Sequence, residues 1–303
     1  PMDMAPIGFG MPRRDLAEQH DELAALASDP RFGPLVVPFA TIHPERVCAV
    51  TELLKSHDVN ATGHRCPHDY QINCGNCRLN SICLPIALDI HEVDQLEEII
   101  QRSRPLQKGE HLYRQDQPFG SVFAVRSGSV KAYAITDNGQ EQVTGFYFPG
   151  EVLGMDGIAK NKYASSARAM ETAAVCEIPF DKLGELSQRL PSLQRHFFQL
   201  MSQEIAEDQQ LLTLLSKNTA DQRVATLMLS ISARNKRRKL SAASFRLPMS
   251  RTDIGNYLGL TVETVSRVLS RFQKLGVLSV DNKEINIIDA ELLRSVADGS
   301  EPT

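Results

Sequence analysis

The chain has little of several features, and each shortage excludes a class of protein. Six cysteines in 303 residues are too few for the disulfide scaffold of a small secreted domain. No apolar run approaches the roughly 18 residues needed to cross a bilayer, so we expect no transmembrane helix and no membrane partner. The N-terminal residues lack a basic patch followed by an apolar core, so we expect no signal peptide and a cytoplasmic protein.

The balance of charge also excludes a protein that is basic throughout, because the net charge is −4. The distribution is uneven. Residues 217–290 contain 13 Lys and Arg against 6 Asp and Glu, a local charge of +7, which leaves −11 for the remainder. A basic C-terminal third on an acidic body is typical of a DNA-binding domain joined to another domain, and the length allows two or three domains.

Three of the cysteines are clustered. Cys74, Cys77 and Cys83 have the spacing C-x2-C-x5-C. Thiolates are soft ligands that suit iron–sulfur clusters and zinc. The spacing is less typical of a zinc knuckle than a second C-x2-C, so it favours an iron–sulfur cluster, with a zinc site or a thiol switch as alternatives. The candidates for a fourth ligand are Cys176, Cys66, His64 and His68.

The middle of the chain has the pattern of an antiparallel β-domain. Strands are predicted at 121–126, 129–136 and 142–148. Turn-forming Gly, Asn and Pro residues separate them at intervals of roughly 8–12 residues, which indicates a barrel or a jelly roll. Ahead of these strands, Asp89 is predicted to cap a helix that runs to about Ser103.

A long helix is predicted over residues 191–216. Four apolar residues and one acid recur at steps of three and four and form what we call the helical stripe: Phe198, Met201, Ile205, Asp208 and Leu212. The spacing indicates a short coiled-coil contact between two chains, whereas the alternative is a helix that packs on its own domain. Asp208 would lie near its twin in a symmetric dimer, where two carboxylates repel and lose hydration. The stripe therefore predicts a marginal, regulated dimer.

Two short helices joined by a glycine turn are predicted near the C-terminus. Ser250–Asp253 has the form of a capping box for the first helix, which ends before Gly259. Thr261 caps the second helix. This arrangement predicts a helix-turn-helix, and the apolar runs 278–280 and 285–288 predict a hairpin wing.

One face of the second helix carries residues suited to reading bases. Arg267 can bind guanine, Glu263 can accept from cytosine, and Ser266 can donate or accept. The alternative is that these residues only solvate an exposed face. A basic cluster precedes the helix-turn-helix and is predicted either to contact phosphates or to form a flexible solvated loop. The cluster consists of Arg234, Lys236, Arg237, Arg238 and Lys239.

Residues 64–297 resemble the FNR-type regulators, the oxygen-sensing branch of the CRP/FNR superfamily. The motifs that carry the resemblance are Cys74-x2-Cys77-x5-Cys83, Thr144-Gly145-Phe146, Val175 to Pro179 and Asp253 to Arg267. The resemblance implies an α+β fold with an N-terminal double-stranded β-helix (jelly-roll) sensor domain, a long dimerisation helix and a C-terminal winged helix-turn-helix. The implied domains are an extension of unknown role (1–65), a cysteine-rich cluster-binding segment (66–88), the sensor (89–190), the dimerisation helix (191–217), the DNA-binding domain (218–297) and a tail (298–303).

The resemblance also implies the roles of individual residues. A [4Fe–4S] cluster would be bound by Cys74, Cys77, Cys83 and Cys176. The helical stripe would join a homodimer when the cluster is bound. Under anaerobic conditions Glu263, Ser266 and Arg267 would read TTGAT-like half-sites of an inverted repeat in double-stranded DNA, to activate or repress transcription. A contact with RNA polymerase is implied for Ile135, Thr136, Asp137, Asn138, Gly139 and Gln140.

Two departures from the family pattern bear on function. Tyr163-Ala164 stands where the CRP branch carries a phosphate-binding arginine, so we expect no cyclic nucleotide to bind. Arg78 follows the second cysteine, where the family often has a small polar residue, and a cation there would alter the redox behaviour of a cluster. The alternatives to oxygen sensing are a CRP-type regulator that responds to a small molecule and has a structural zinc or thiol switch, and a redox enzyme. No catalytic base or substrate-phosphate motif supports an enzyme.

Overall fold

The computed structural model describes residues 73–136 and 138–299. The chain divides into two units between Gln71 and Ile72, and all described residues belong to the second unit. The predicted extension 1–65 lies outside the described residues. So do three candidates for a fourth ligand, Cys66, His64 and His68.

The described residues form seven α-helices, two short 3-10 helices and eleven strands. The α-helices are α1 (Ile90–Ile99), α2 (Phe180–Arg189), α3 (Pro191–Lys217), α4 (Ala220–Arg237), α5 (Arg251–Leu258), α6 (Val262–Lys274) and α7 (Ala290–Ala297). Short 3-10 helices occupy Leu84–Ala87 and Met155–Gly157. The strands are β1 (Gln101–Arg102), β2 (His111–Tyr113), β3 (Ser121–Ser127), β4 (Val130–Ile135), β5 (Glu141–Tyr147), β6 (Val152–Leu153), β7 (Ser166–Ala169), β8 (Ala174–Pro179), β9 (Ser244–Arg246), β10 (Leu278–Asp281) and β11 (Glu284–Ile287).

The first eight strands form two antiparallel sheets that share one apolar core. Their strand orders are β1-β8-β3-β6 and β2-β7-β4-β5. The three strands predicted from the sequence correspond to β3, β4 and β5, so the predicted jelly roll is confirmed. Along β3, Phe123 and Val125 face the core between the sheets, while Val122 and Ala124 face a layer of helices. This alternation follows from the two-residue period of a strand and buries β3 on both sides.

The helix layer packs on the outer face of the first sheet. Leu96 of α1, Leu186 of α2 and Leu193 of α3 are fully buried there. Asp89 caps α1 through a capping box, as predicted. The predicted end near Ser103 is wrong, because α1 stops at Ile99 and the next residues pair with β8 as strand β1. Because β1 pairs with β8, Arg102 lies beside Cys176.

The C-terminal block has its own apolar core, built from α4, α5, α6, α7 and a small sheet. The predicted wing is confirmed as the hairpin β10–β11. A third strand, β9, extends this sheet by pairing with β11, and the sequence pattern did not predict it. Nowhere in the described ranges is there a helix with the length and apolar character required to span a membrane.

Candidate metal centre and nucleic-acid interface

The clustered cysteines lie in a compact turn segment just before the first 3-10 helix. The amide of Cys83 donates to the carbonyl of Leu79 at 2.9 Å, and Leu79 and Leu84 are both buried. On its other side the segment rests on the β-domain, where Ile82 lies directly over Gly150. A Cβ atom at Gly150 would sit 2.8 Å from the Ile82 Cδ1 atom, and the φ of +93° at this residue also favours glycine.

The structure brings all four predicted ligands to one place. Cys176 lies in the middle strand β8, in register with Arg102 of β1 and Ala124 of β3. The thiols that line a single, mainly apolar cavity are those of Cys74, Cys77, Cys83 and Cys176. All four are free of disulfide bonds. Within residues 73–136 and 138–299, no group of three or more His, Cys, Asp or Glu side chains is arranged to hold a single metal ion. Four soft donors around one cavity fit a polynuclear iron–sulfur group, whose ligands are four cysteines.

Burial favours the protonated form of the Cys74, Cys83 and Cys176 thiols. It raises the pKa of Cys83 to about 12 and raises the pKa of Cys74 as well. Burial also raises the pKa of Cys176, although the nearby Arg102 and Arg126 guanidinium groups act in the opposite direction. Thiols with raised pKa values stay protonated at neutral pH, and a metal must displace these protons because only the thiolate is a ligand.

An ion pair between Glu97 and Arg102 links the cysteine segment to strand β1 beside this cavity. The carboxylate of Glu97 accepts from the backbone amide of Cys74 at 2.8 Å and from the Arg102 Nη2 atom at 2.8 Å. Arg102 and Arg126 line the cavity, whereas Arg78 is exposed and does not. The cysteine spacing drew attention to Arg78, whereas Glu97 and Arg102 were not predicted. No local pattern could reveal them, because their place beside the cysteines depends on the pairing of β1 with β8.

The helical stripe lies on α3, and most of it faces outward. Phe198, Ile205 and Leu212 are 57%, 59% and 67% exposed. Asp208 is also exposed, and its pKa is raised by partial burial and by repulsion from Glu207. The fifth residue differs from the prediction of a continuous outward seam, because Met201 is half-buried against the core of its own domain. Large apolar side chains exposed in a row on one helix are typical of an interaction surface.

The opposite face of α3 is fixed to the β-domain. Leu193 and Phe197 are buried there. One turn before Asp208, Glu204 accepts a hydrogen bond from the Tyr147 hydroxyl at 2.6 Å. Burial raises the pKa of Glu204 to about 7. One face of this helix therefore packs on its own domain, and a contact of the exposed face with a second chain stays a prediction.

The helix-turn-helix has the predicted caps and a tightly specified turn. Ser250 and Asp253 form the capping box of α5, and Gly259 ends this helix with φ +63°. A Cβ atom on Gly255 would lie only 2.6 Å from the carbonyl oxygen of Leu260, so the close approach of α5 to the turn requires glycine. The sequence analysis did not identify the role of Gly255. These contacts fix the angle at which α6 leaves the turn.

The predicted reading face of α6 is exposed to solvent. Thr261 caps this helix by accepting from the amide of Thr264 at 3.2 Å. The residues that bury its other face are Val265, Val268, Leu269 and Phe272. Glu263, Ser266 and Arg267 are all exposed on the first two turns. The helix therefore presents one acceptor, one hydroxyl and one guanidinium group at the end that enters a major groove in helix-turn-helix proteins.

The basic cluster differs in part from the predictions made for it. Arg234, Lys236 and Arg237 belong to the last turn of α4 and not to a loop. A phosphate contact stays a prediction for Lys236, Arg238 and Lys239. Arg234 and Arg237 pair with the buried carboxylate of Glu151 at 3.3 and 3.1 Å. These two arginines therefore bind the β-domain and are not free for phosphates.

The predicted polymerase-contact region is the turn between β4 and β5. Ile135 ends β4, and Thr136 accepts and donates hydrogen bonds that close the turn against Gln140. The described residues of this turn are all exposed, and Asp137 lies outside the described residues.

Tyr163 occupies the core of the β-domain. Its ring stacks on Tyr113 with centroids 4.0 Å apart, and its hydroxyl donates to the carbonyl of Ser121 at 2.8 Å. The side chain at this position therefore contributes to packing.

Comparisons with known proteins agree with this architecture. Family models of the Crp-like helix-turn-helix domain and the cyclic nucleotide-binding domain match residues 222–296 and 103–189. The chain is 54% identical over 229 residues to the transcriptional activator protein Anr of Pseudomonas aeruginosa, covering 76% of this chain and 94% of that protein. It is 48% identical over 218 residues to the anaerobic regulatory protein of Haemophilus influenzae, covering 72% and 85%.

A solved structure shows the same fold. FixK2 from Bradyrhizobium japonicum matches with a TM-score of 0.61 and 29% identity, covering 65% of this chain and 97% of that one. Together with the jelly roll, the exposed face of α6 and the wing, these similarities identify the family, whose members are transcription regulators and not enzymes. The chain is an FNR-type member of the CRP/FNR superfamily, a family of DNA-binding transcription regulators.

Proposed function

We propose that this regulator senses oxygen through a [4Fe–4S] cluster held by Cys74, Cys77, Cys83 and Cys176. The observation that carries the proposal is the convergence of these four thiols on one apolar cavity. The cluster would be the oxygen-sensitive group, because it assembles without oxygen and oxygen degrades it. The names of the similar proteins support an anaerobic role, since one of them is called an anaerobic regulatory protein.

The cysteine ligands would tie the turn segment to the centre of the first sheet. Cys74, Cys77 and Cys83 belong to one segment, whereas Cys176 belongs to β8. Ligation would displace the protons of the buried thiols. It would also hold the segment in the place where Ile82 lies over Gly150. Without ligation, the segment would lose its link to Cys176. The two states therefore differ in how firmly the segment packs on the β-domain, which is the difference that a signal can bias.

Dimerisation through the helical stripe would follow from this packing. The exposed Phe198, Ile205 and Leu212 supply the apolar contact, while Asp208 opposes it by repulsion of its twin. A contact with such opposed contributions is marginal, so a small bias from the cysteine segment shifts it. Only a dimer places two α6 helices in successive major grooves, about 34 Å apart.

In the dimer, Glu263, Ser266 and Arg267 would read TTGAT-like half-sites of an inverted repeat. Arg267 is suited to guanine and Glu263 to cytosine. The exposed turn from Ile135 to Gln140 would contact RNA polymerase, so that bound protein activates or represses transcription according to the position of the site. We place this activity in the cytoplasm.

The test is a metal analysis of anaerobically purified protein. The wild type is expected to contain about four irons and to absorb near ~420 nm, with both signals lost in air. Cys176→Ser should lower the iron content at least several-fold. Cys66→Ser is the matched control, because Cys66 was a candidate ligand outside the proposed four, and it should retain iron. A colourless wild type that holds zinc would contradict the proposal.

A second candidate function rests on the cyclic nucleotide-binding family model that matches residues 103–189. A CRP-type regulator would bind a small molecule in the β-domain and use the cysteines for structural zinc or a thiol switch. The packing of Tyr163 in the core argues against a guanidinium-like phosphate contact at that position. Titration with cyclic AMP separates the two candidates, and we expect no binding.

A further inference from the structure

The winged helix-turn-helix rests against the edge of the second sheet. Strand β5 is the outer strand of β2-β7-β4-β5, so its outward backbone groups have no neighbouring strand. Asn256 of α5 takes the place of that neighbour, because its side chain accepts from the Val143 amide and donates to the Glu141 carbonyl. In return, the Gln142 side chain donates to the backbone carbonyl of Asn256 at 2.8 Å.

A buried charge lies beside this edge contact. Lys131 of β4 has a side chain that is only 9% exposed, and its Nζ atom lies 2.6 Å from the Asp253 Oδ1 atom. Glu141 provides a second carboxylate at 3.3 Å. Burial raises the pKa of the Asp253 carboxyl, but the bonds from Lys131 and Ser250 outweigh this effect, so the pKa lies below its ordinary value. Glu141 belongs to the same sheet as Lys131, so the ion pair with Asp253 is the part of this charge network that depends on α5 staying on the sheet.

A second set of contacts lies on a different helix. Arg234 of α4 donates to the Phe146 carbonyl at 2.7 Å and pairs with Glu151 at 3.3 Å. Phe146 also packs against Tyr257 of α5, with ring centroids 5.0 Å apart. Glu151 follows Gly150 in the chain, the residue on which the cysteine segment rests.

We propose that these two sets of contacts form an intramolecular dock that fixes the orientation of the winged helix-turn-helix on the β-domain. Lys131 and Asn256 are its positioning residues. Apolar contact alone is non-directional and permits sliding, whereas hydrogen bonds from two helices to separate points of one strand define an angle. Every contact of the dock lies within one chain, so its existence does not depend on the proposed cluster or on dimerisation.

Hydrogen–deuterium exchange of the full-length protein tests the dock. In the wild type, peptides covering β5 and α5 should be protected although β5 is an edge strand. Lys131→Met keeps an apolar chain of similar length and removes the charge, and it should speed exchange in both peptides at least about tenfold, because Asp253 loses its ion-pair partner on the sheet. Asn256→Ala should raise exchange in the same two peptides without a change of charge.

Two control variants and one control strand complete the test. Lys131→Arg should keep the wild-type protection of the β5 and α5 peptides, because it preserves the positive charge. Arg104→Met removes an exposed ion pair to Glu110 inside the β-domain and should leave β5 and α5 unchanged. The central strand β3 should be unaffected in every variant. Unchanged exchange at β5 and α5, or an equal rise in β3, would overturn the positioning role, the latter because it shows only global destabilisation.

Discussion

The dock and the proposed dimer contact at the helical stripe differ in how their charges are arranged. In the dock, buried Lys131 has Asp253 at 2.6 Å and Glu141 at 3.3 Å, so the charges compensate one another within one chain. In the stripe, Asp208 lies among exposed apolar residues and meets repulsion from Glu207. A compensated contact can be permanent, whereas an uncompensated one forms only when another free-energy term supports it. A signal is therefore expected to change the contact at the helical stripe and to leave the dock in place.

Removal of the dock charge is expected to have the largest effect on stability. Lys131→Met should lower the free energy of unfolding by about 2–4 kcal/mol, because one partner of a buried ion pair is lost. Chemical denaturation of the full-length protein measures this change. Arg104→Met removes an ion pair whose arginine side chain is 71% exposed, and it should cost far less. If both variants lose the same small amount, the dock is no firmer than a surface ion pair.

Glu204 tests whether the inner face of α3 is also a permanent contact. Burial, with repulsion from Asp208 and Glu207, raises its pKa to about 7 from an ordinary 4.5, although the Tyr147 bond opposes the shift. A raised carboxyl pKa means that the folded state holds its proton more tightly. The contribution to stability is therefore full below about pH 4.5 and is lost as pH rises through about 7.

Glu204→Gln should abolish this loss and stabilise the protein at pH 8 by at most about 3 kcal/mol. Thermal unfolding at pH 5 and pH 8 provides the measurement. Glu185→Gln, at an exposed position on α2, is the control and should not alter the pH dependence. A variant that keeps the wild-type slope would show that another group titrates.

Arg267 separates reading of DNA from positioning of the domain. Arg267→Ala should lower the discrimination between the preferred half-site and one with a changed guanine by about 1–3 kcal/mol. Protection of β5 and α5 should stay as in the wild type. Fluorescence anisotropy with both DNA sequences measures the effect. Lys274→Ala, near the other end of α6, should weaken both sequences equally. Equal weakening by Arg267→Ala would mean that this residue contacts only phosphate.

Asp208 gives the smallest and most specific effect. Asp208→Ala should strengthen dimerisation by about 1–2 kcal/mol, because it removes the repulsion and the burial of charge at the stripe. The variant should therefore stay dimeric in air, which sedimentation velocity detects. Gln210→Ala, also exposed on α3 but outside the stripe, should behave as the wild type. A monomeric Asp208→Ala without metal would contradict the proposed balance.

The parts of this fold that depend on neighbouring residues could be predicted from the sequence. The caps at Asp89, Ser250 and Thr261 act over three residues, and the left-handed Gly259 ends α5 by local geometry. The alternation along β3 follows the period of a strand. Each of these signals is complete within one turn or one strand, so the order of elements follows from the chain alone.

The parts that depend on distant pairing could not be predicted. Lys131 and Asp253 are 122 residues apart, and neither has a local pattern that indicates the other. Arg234 and Arg237 suggest a phosphate-binding cluster by composition, yet the fold supplies Glu151 as their partner. Glu97 and Arg102 join the cysteine site only because α1 gives way to β1. The spacing of Cys74, Cys77 and Cys83 indicated a metal site, whereas Cys176 was assigned as the fourth ligand by the family resemblance and the shared cavity was not visible in the sequence.

Sedimentation velocity under anaerobic conditions, followed at about 420 nm and in the peptide region, tests the central claim most directly. We expect the wild type to sediment as a coloured dimer, and we expect air to remove the colour and dissociate the dimer together. A dimer that persists after complete bleaching, or a monomer that keeps its colour, would contradict the link between the four cysteines and the helical stripe.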